Sequence, residues 1–372
     1  MKSSVLVVGA GIVGCTVAYD LARQGASVEI LDPRAPGQGA TRASAGILAP
    51  DIEGHGSTLL RTLGRRSIAL YDDFIARLRT DSGHDIFYQR NGTFDLAFST
   101  EDVTRLQDLA KALASERIEA NWIDRAAFDR YEPLASKQAQ GALLIPTHGF
   151  VGVTSLTLAA LAAAQRFGAA FSGNTGAIRI FSMPGGRVAV QSSNRMWEAD
   201  RVVLAAGSWS SGITVQDADP IPVKPIRGQL IQLQTDPGAL SRVIWGPDGY
   251  LVPWPDGAVL VGSTVEDVGF DESHTGEAVE NLKTVASTLV PSLTGAPLTS
   301  VRTGLRPKGP DDVPLLGPSK VVPGLIYATA HYRNGVMFAP LTVKLVSDLV
   351  FDRADDPALR DLDPARQSGT RL

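Results

Sequence analysis

The 372-residue sequence has few cysteines, no excess of positive charge and no long apolar run, and each of these absences excludes a class of protein. Its single cysteine, Cys15, allows no internal disulfide and no cysteine-based metal site, which favours a reducing compartment. A formal net charge of -4 provides no basic excess for binding nucleic acid. The N-terminal apolar run is short and interrupted by glycines, and no run reaches the roughly 20 residues that span a bilayer. These absences predict a cytoplasmic protein with no nucleic-acid partner, no membrane span and no metal site.

The length of the chain and the order of its first elements indicate the fold class. A chain of 372 residues exceeds what one compact core requires, which predicts two domains. The residue pattern begins as strand, helix and strand, at 4–10, 11–25 and 27–32, and Gly25 ends the helix. This βαβ start predicts a parallel, doubly wound sheet. The stretch between 221 and 267 instead predicts antiparallel strands.

The remaining patterns place the two kinds of structure in alternation along the chain. They predict helices at 59–79, 101–115, 156–171, 275–290 and 338–351, and strands at 187–193, 199–207 and 324–331. The stretch 87–99 predicts a hairpin around Asn91-Gly92. The fold class is therefore α/β + β, a Rossmann-like, doubly wound domain interleaved with an antiparallel-sheet domain. The predicted boundaries are 1–85, 145–220 and 305–372 for the first domain, and 86–144 and 221–304 for the second.

The N-terminal segment "VVGAGIVG" carries glycines in G-x-G-x-x-G spacing. Gly9 permits a tight turn, Gly11 lets the backbone approach a pyrophosphate, and Gly14 lets helix and strand pack closely. The helix that begins around Ile12 and Val13 directs its N-terminus at the phosphates. Because the motif follows a strand, opens a helix and precedes an acid at the end of the next strand, Asp32, it predicts a dinucleotide site. The acid favours an unphosphorylated ribose, and hence NAD or the ADP half of FAD.

Four later segments extend the fingerprint into a family resemblance. They are "GATRASAGILAP" (39–50), "ADRVVLAAGSWS" (199–210), "GLRPKGPDDVPLLG" (304–317) and "HYRNGVMFAP" (331–340). Together they resemble the D-amino-acid oxidase (DAO) family of FAD-dependent oxidoreductases, in particular its glycine oxidase-like and D-amino-acid dehydrogenase branch. The resemblance implies a GR2-type FAD-binding domain with non-covalent FAD, and a substrate domain whose sheet lies over the isoalloxazine ring. Some relatives tether flavin through a cysteine, but Cys15 lies inside the fingerprint helix and is no candidate.

The resemblance and the residue chemistry together predict the cofactor contacts. Small residues around 41–46 let amides approach a flat ring, and hydroxyls there can bind phosphate or ribityl oxygens, although such clusters are also typical of ordinary loops. A strand end is where a doubly wound sheet binds ligands. The predicted cofactor-binding residues are Gly9, Gly11, Ile12, Val13, Gly14, Asp32, Thr41, Arg42, Ser44, Ala45, Gly46, Ala206, Gly207, Arg306, Arg333, Asn334, Gly335, Val336 and Met337.

Three side chains are the predicted catalytic residues. The resemblance implies that Arg306 and Tyr250 hold the substrate carboxylate, for which the planar fork of arginine is suited. It places Arg333 near the substrate and the amides from Asn334 onward against the flavin, where a helix N-terminus would stabilise an anionic reduced ring. The alternatives are a surface arginine paired with a nearby acid and a tyrosine on a sheet face. We interpret His331 as structural.

The resemblance therefore implies an enzyme that deaminates a small amino acid, glycine or a D-amino acid, oxidatively. A hydride passes from the α-carbon to flavin N5, the imino acid hydrolyses to an oxo acid and ammonia, and dioxygen or another electron acceptor reoxidises the flavin. Secondary N-alkyl amino acids, such as sarcosine or proline derivatives, and 2-hydroxy acids stay open as substrates. A flavin-binding subunit that needs a partner, an NAD-dependent dehydrogenase and a homo-oligomer also stay open.

Overall fold

The computed structural model describes residues 3–53, 57–366 and 371–372. Its N-terminal strand lies in a six-stranded sheet that is parallel except for one edge strand, Leu315–Pro318. In spatial order the strands of this parallel sheet are Leu315–Pro318, Leu325–Thr329, Arg201–Leu204, Ser4–Val8, Ser27–Leu31 and Ala170–Ser172. The predicted doubly wound domain is therefore confirmed.

The first helix, Ile12–Arg23, is buried along nearly its whole length because it packs against two other helices as well as the sheet. Those two helices are Val153–Arg166 and Ala339–Val350. The alanine-rich helix was predicted to reach 171, but it ends at Arg166 because Gly168, with a φ of 92°, turns the chain back toward the sheet. The other α-helices among the described residues are Pro50–Glu53, Thr58–Ile68, Tyr71–Ser82, Thr100–Ser115, Arg125–Tyr131, Gly276–Leu289 and Ala358–Asp361.

The second layer is an eight-stranded sheet in which only the pair Val243–Gly246 and Thr93–Ala97 is parallel. Helices Gly276–Leu289 and Thr100–Ser115 pack against it. In spatial order the strands of this antiparallel sheet are Leu298–Lys308, Lys224–Gln234, Ala258–Gly262, Gly249–Pro253, Val243–Gly246, Thr93–Ala97, Gly141–Ile145 and Asn121–Asp124. The β-rich second domain is thus present, whereas the exact domain boundaries stay a prediction.

The predicted hairpin at Asn91-Gly92 is wrong. The two strands exist, Tyr88–Gln89 and Thr93–Ala97, but each pairs with strands from elsewhere in the chain. Gly92 does take a left-handed φ of 93°, but its N–H donates to the carbonyl of His148, so the turn separates two sheets. The local turn chemistry was interpreted correctly, and the tertiary pairing overrode the local prediction.

Two smaller sheets complete the structure. One contains Met196–Ala199, Val188–Gln191, Arg179–Ser182 and Thr214–Val215; the other contains Ile47–Leu48, Gly149–Val151 and Tyr88–Gln89. Short 3-10 helices are Pro184–Gly186, Gly207–Gly212 and Pro291–Leu293. Across the described ranges, no helix has both the length and the apolarity needed to cross a membrane.

Candidate active site

A cavity of about 410 Å³ lies between the parallel sheet and the antiparallel sheet. Gly9, Asp32 and Ala206, which follow the carboxyl ends of three parallel strands, line one side of it. Gly228 and Arg306, from two antiparallel strands, line the other. One continuous space therefore joins the dinucleotide fingerprint to the predicted substrate residues.

The fingerprint glycines are required by close backbone approaches. Gly9 has a φ of 110°, and a Cβ there would lie 2.4 Å from the carbonyl oxygen of Ala205. A Cβ on Gly14 would lie 1.9 Å from the carbonyl oxygen of Gly9. The helix can thus start immediately after the strand and leave its N-terminus open to the cavity, as the motif predicts.

Asp32 organises the turn at the end of its strand. One carboxylate oxygen accepts from the N–H of Ala10 at 2.6 Å and the other from the N–H of Arg34 at 2.8 Å. Burial raises the pKa of this carboxyl, while the two amide donors and the Arg34 charge oppose the rise. A carboxylate has about four lone-pair positions, so Asp32 retains acceptor capacity on its cavity side.

The cavity brings most of the predicted cofactor residues together. The ones that line it are Gly9, Gly11, Ile12, Val13, Asp32, Thr41, Ser44, Ala45, Gly46, Ala206, Gly207, Arg306, Arg333, Gly335 and Val336. Four others do not line it: Gly14, Arg42, Asn334 and Met337. Direct cofactor contact by any of these residues stays a prediction.

Two of the predicted loop residues near 41–46 have roles within the protein. The hydroxyl of Thr41 accepts from the N–H of Ile12 at 3.0 Å, so it ties the loop to the fingerprint helix and occupies that amide. Arg42 is exposed and donates to the side chain of Gln38. The loop therefore reaches the cavity through its smaller residues, whereas its arginine points to solvent.

The helix of the 331–340 segment begins at Ala339, within one residue of the predicted start at 338. The amide of Asn334 differs from the prediction, because its N–H donates to the carbonyl of His331 at 2.8 Å. The amide of Asn334 is thus committed to a turn and does not face the cavity. Gly335 and Val336 do line the cavity, and within the described part of the chain their N–H groups have no acceptor. These two amides are available as donors to a ligand.

His331 lies at the same end and is buried. Its Nε2 is 3.0 Å from the hydroxyl of Thr342, and burial lowers its pKa to about 4. A neutral imidazole held by a helix hydroxyl fits the structural role that we predicted.

At the substrate end, the floor of the cavity is the part of the antiparallel sheet that contains Gly228, Gly262 and Gly304, where no side chain projects from the strands. A Cβ on Gly228 would lie 2.2 Å from the guanidinium carbon of Arg306. A Cβ on Gly262 would lie 2.5 Å from the hydroxyl of Tyr250, the residue directly opposite it on the neighbouring strand. A Cβ on Gly304 would lie 2.7 Å from that of Ala43 in the cofactor loop. The guanidinium and the phenol can therefore lie flat on the sheet and face the cavity.

The nearby acids that could pair with Arg306 in the alternative surface role are Asp311 and Asp312, and each pairs with another cation. Asp311 pairs with Arg366 at 2.7 Å, and Asp312 pairs with Lys308 at 2.8 Å. Arg306 itself donates to the Thr264 carbonyl at 2.9 Å and to the Ser263 hydroxyl at 2.8 Å.

Arg333 is exposed at the cavity wall. Its guanidinium carbon lies 5.3 Å from the centre of the Tyr332 ring. It is thus at the cavity, but on the solvent side.

Sequence reasoning missed several cavity residues. Arg34 stacks on the Trp209 ring at 3.9 Å, and both line the cavity near Asp32. Gly228 and Gly304 were also missed, although a glycine inside a strand is a signal of close approach by another group.

Comparisons with known proteins agree on one family. Its model, described as FAD dependent oxidoreductase (DAO), matches residues 4–349. Bifunctional protein ThiO/ThiG of Nostoc sp. is 30% identical over 367 residues, which cover 96% of this chain and 54% of that protein, so this chain spans about half of that relative. Glycine oxidase of Geobacillus kaustophilus is 30% identical over 351 residues, covering 94% and 93% of the two chains. A crystal structure of glycine oxidase from Geobacillus kaustophilus has a TM-score of 0.92 at 28% identity, covering 99% of this chain and 100% of that one.

Proposed function

Since this chain belongs to the DAO family of FAD-dependent oxidoreductases, we propose that it deaminates a small amino acid, glycine or a D-amino acid, oxidatively. The observation that carries the proposal is the floor of the cavity, where Arg306 and Tyr250 lie flat over Gly228 and Gly262. An arginine fork beside a phenol is a suitable pair of donors for a carboxylate. The curated glycine oxidase that resembles this chain along nearly its whole length supports the same substrate class.

The cavity suits FAD at both of its ends. The open helix N-terminus after Gly9 and the acceptor oxygens of Asp32 match a pyrophosphate and a ribose hydroxyl. The N–H groups of Gly335 and Val336 match the carbonyl oxygens of an isoalloxazine ring. When bound, FAD supplies the acceptor for the hydride that leaves the substrate. We propose non-covalent binding, because Cys15 is buried in the fingerprint helix and burial raises its pKa to about 12.

The protein's contribution at the substrate end is positioning. Arg306 and Tyr250 would fix the carboxylate and thereby orient the α-hydrogen, while the amine reacts in its neutral form. Of the carboxylate and imidazole groups that line the cavity in the described part of the chain, Asp32 lies at the fingerprint end and His331 is neutral and hydrogen-bonded to Thr342. Neither is placed as a base for an α-proton, which favours departure of the hydrogen as hydride. Water then adds to the imino acid and releases the oxo acid and ammonia.

Anaerobic titration of the yellow holoenzyme tests the proposal. Glycine, D-alanine, sarcosine and glycolate are each mixed with the enzyme, and flavin absorbance and ammonia are measured. We expect a primary amino acid to bleach the flavin and to release one ammonia per flavin reduced, and readmitted dioxygen to restore the colour and yield hydrogen peroxide. If only sarcosine bleaches the flavin, the substrate is a secondary amino acid, and if only glycolate does, it is a 2-hydroxy acid. Either result would contradict the proposed substrate class.

Replacing Arg306 tests the assignment of the carboxylate. Arg306→Ala is expected to raise KM by about a hundredfold or more, because a bond between charged groups in a dry site contributes about 3 kcal/mol. FAD content should stay that of the parent, since the fingerprint is unaltered. Substrate kinetics equal to those of the parent would show that the carboxylate binds elsewhere.

A further inference from the structure

We propose that Glu266 is a positioning residue for Arg306 and that it acts through Thr264. The inference rests on the proposed function, in which Arg306 binds the substrate carboxylate. Neither Thr264 nor Glu266 lines the cavity, whereas Arg306 and Ser263 do. Any effect of Glu266 on substrate binding must therefore be transmitted through the protein.

The first step is the way in which the guanidinium is held. One terminal nitrogen of Arg306 donates to the carbonyl of Thr264 at 2.9 Å, and the other donates to the hydroxyl of Ser263 at 2.8 Å. Behind the guanidinium, Gly228 leaves just enough room for it to lie against the strand. The plane of the fork is thus set by the position of the 263–264 backbone, and a bidentate bond to a carboxylate depends on that plane.

The second step is the anchoring of Thr264. Its hydroxyl accepts from the N–H of Gln229 at 2.9 Å and donates to the carboxylate of Glu266. The same oxygen of Glu266 accepts from the side-chain amide of Gln229 at 2.8 Å. Glu266 therefore ties the segment that carries Thr264 to the neighbouring strand Lys224–Gln234.

The third step is the fixing of Glu266. Its second oxygen accepts from two nitrogens of Arg227, at 3.0 Å for Nε. Arg227 is 5% exposed and also pairs with Asp271. The charge of Glu266 is thus matched by a neighbouring guanidinium, so its influence on Arg306 is geometric. If Glu266 is replaced by glutamine, Arg227 keeps its ion pair with Asp271.

Substitutions at Thr264 and Glu266 probe this connection without altering the immediate surroundings of the Arg306 side chain at Gly228. Thr264→Val removes the hydroxyl at nearly constant shape, and Thr264→Ser restores it. Glu266→Gln removes the charge and two of the acceptor positions. Gly228→Ala is a direct perturbation for comparison, because its methyl group would occupy the space of the guanidinium itself. The matched control is Gly276→Ala, because a Cβ there meets nothing within 4 Å.

Two measurements separate positioning from a merely structural role. The dissociation constant of acetate, a minimal carboxylate, is obtained from its perturbation of the flavin spectrum. The limiting rate of flavin reduction is obtained anaerobically with the best substrate. We expect Thr264→Val, Glu266→Gln and Gly228→Ala to weaken acetate binding about tenfold and to raise KM equally, as loss of an ordered charged bond implies. The limiting rate should change less than about threefold, Thr264→Ser should recover most of the affinity, and the control should match the parent.

The inference is wrong if the variants hold FAD fully and bind acetate as the parent does. It is also wrong if kcat falls while the acetate affinity is unchanged. If Glu266→Gln fails to fold, Thr264→Val and its rescue by Thr264→Ser decide the question in the same way. Arg306→Ala, measured in parallel, separates the two levels of the argument: unchanged acetate binding in that variant contradicts the proposed function, not the network.

Discussion

At the scale of single residues, the site depends on two side chains that lie flat against the antiparallel sheet and on a buried histidine that stays uncharged. Arg306 and Tyr250 face the cavity because glycines beneath them leave room. His331 stays neutral because burial disfavours its charged form. Asp32 accepts from two backbone amides, which oppose the rise in its pKa that burial causes. Each of these states has a measurable consequence.

His331 should make the protein acid-sensitive. Burial lowers its pKa from 6.5 to about 4, so between these values the unfolded chain binds a proton that the folded chain does not. Stability is therefore complete above about pH 6.5 and falls as the pH drops toward 4, by about 3 kcal/mol in total for this group. In urea denaturation of the holoenzyme across this range, His331→Gln should show a shallower loss than the parent. Replacement of the exposed His274 by Gln is the control, and equal slopes in parent and His331→Gln would contradict the prediction.

Asp32 should determine how well the cofactor is retained. Asp32→Ala removes the acceptor of two N–H groups that shape the fingerprint turn, and each such charged bond contributes about 2 kcal/mol. We expect the affinity for FAD to fall at least tenfold in Asp32→Ala, so that less FAD remains bound after dialysis. Asp32→Asn keeps one acceptor oxygen, and its affinity should lie between those of the parent and Asp32→Ala. Unchanged occupancy would contradict a role in binding the adenosine ribose.

At the scale of elements, the loop 263–275 contacts both ends of the cavity. Ser263 and Thr264 hold Arg306, while Phe270 packs on Trp209 with ring centres 6.0 Å apart and Glu272 pairs with Arg34 at 3.0 Å. The sequence pattern ended its strand prediction inside this loop, at 267. Since Trp209 and Arg34 line the cavity beside Asp32, the loop covers the end where the adenosine half is expected.

Truncation of the loop's aromatic contact should accelerate loss of FAD. The Phe270–Trp209 pair contributes about 1 kcal/mol if it resembles other aromatic pairs, so Phe270→Ala should raise the FAD dissociation rate about fivefold. Acetate affinity should stay near that of the parent, because Arg306 is unaltered. Val268→Ala, at another exposed apolar position of the loop, is the control. Equal dissociation rates in Phe270→Ala and the parent would show that the contact does not restrain the cofactor.

At the scale of the whole molecule, one cavity is shared by two sheets that have separate hydrophobic cores. The chain leaves the parallel sheet for the antiparallel sheet twice. It returns first through Ala170–Ser172 and Arg201–Leu204, and then through Leu315–Pro318 and Leu325–Thr329. A ligand in the shared cavity contacts both layers, so its binding should stabilise the molecule as a unit.

Removal of FAD should therefore lower the melting temperature by several degrees. A ligand at a hundred times its dissociation constant stabilises the folded state by about 2.7 kcal/mol. Thermal melting of apoprotein, holoprotein and apoprotein with FMN measures the effect, and FMN should stabilise less because it lacks the adenosine diphosphate part. Coincident melting curves for the apoprotein and the holoprotein would contradict a cofactor that bridges the two layers.

The sequence by itself determined the features that depend on local spacing. The glycine fingerprint, the acid at Asp32, the amphipathic helices near 101–115 and 275–290, and the return strand at 324–331 were all predicted within a few residues. These features could be predicted because each depends on residues that are close in the sequence. A tight turn or a close backbone approach requires glycine at a fixed spacing, and a buried helix or strand face requires apolar residues at a regular period. The family could be predicted for the same reason, because its motifs are local.

Only the tertiary structure decided which distant groups meet. It separated the strands around Gly92 into two sheets, committed the amide of Asn334 to a turn, and placed Arg306 over Gly228 and beside Thr264. Cross-strand register and loop packing join residues far apart in the chain, and no local period encodes them. The support that we propose for Arg306 through Thr264 and Glu266 therefore became visible only when the antiparallel sheet was in place.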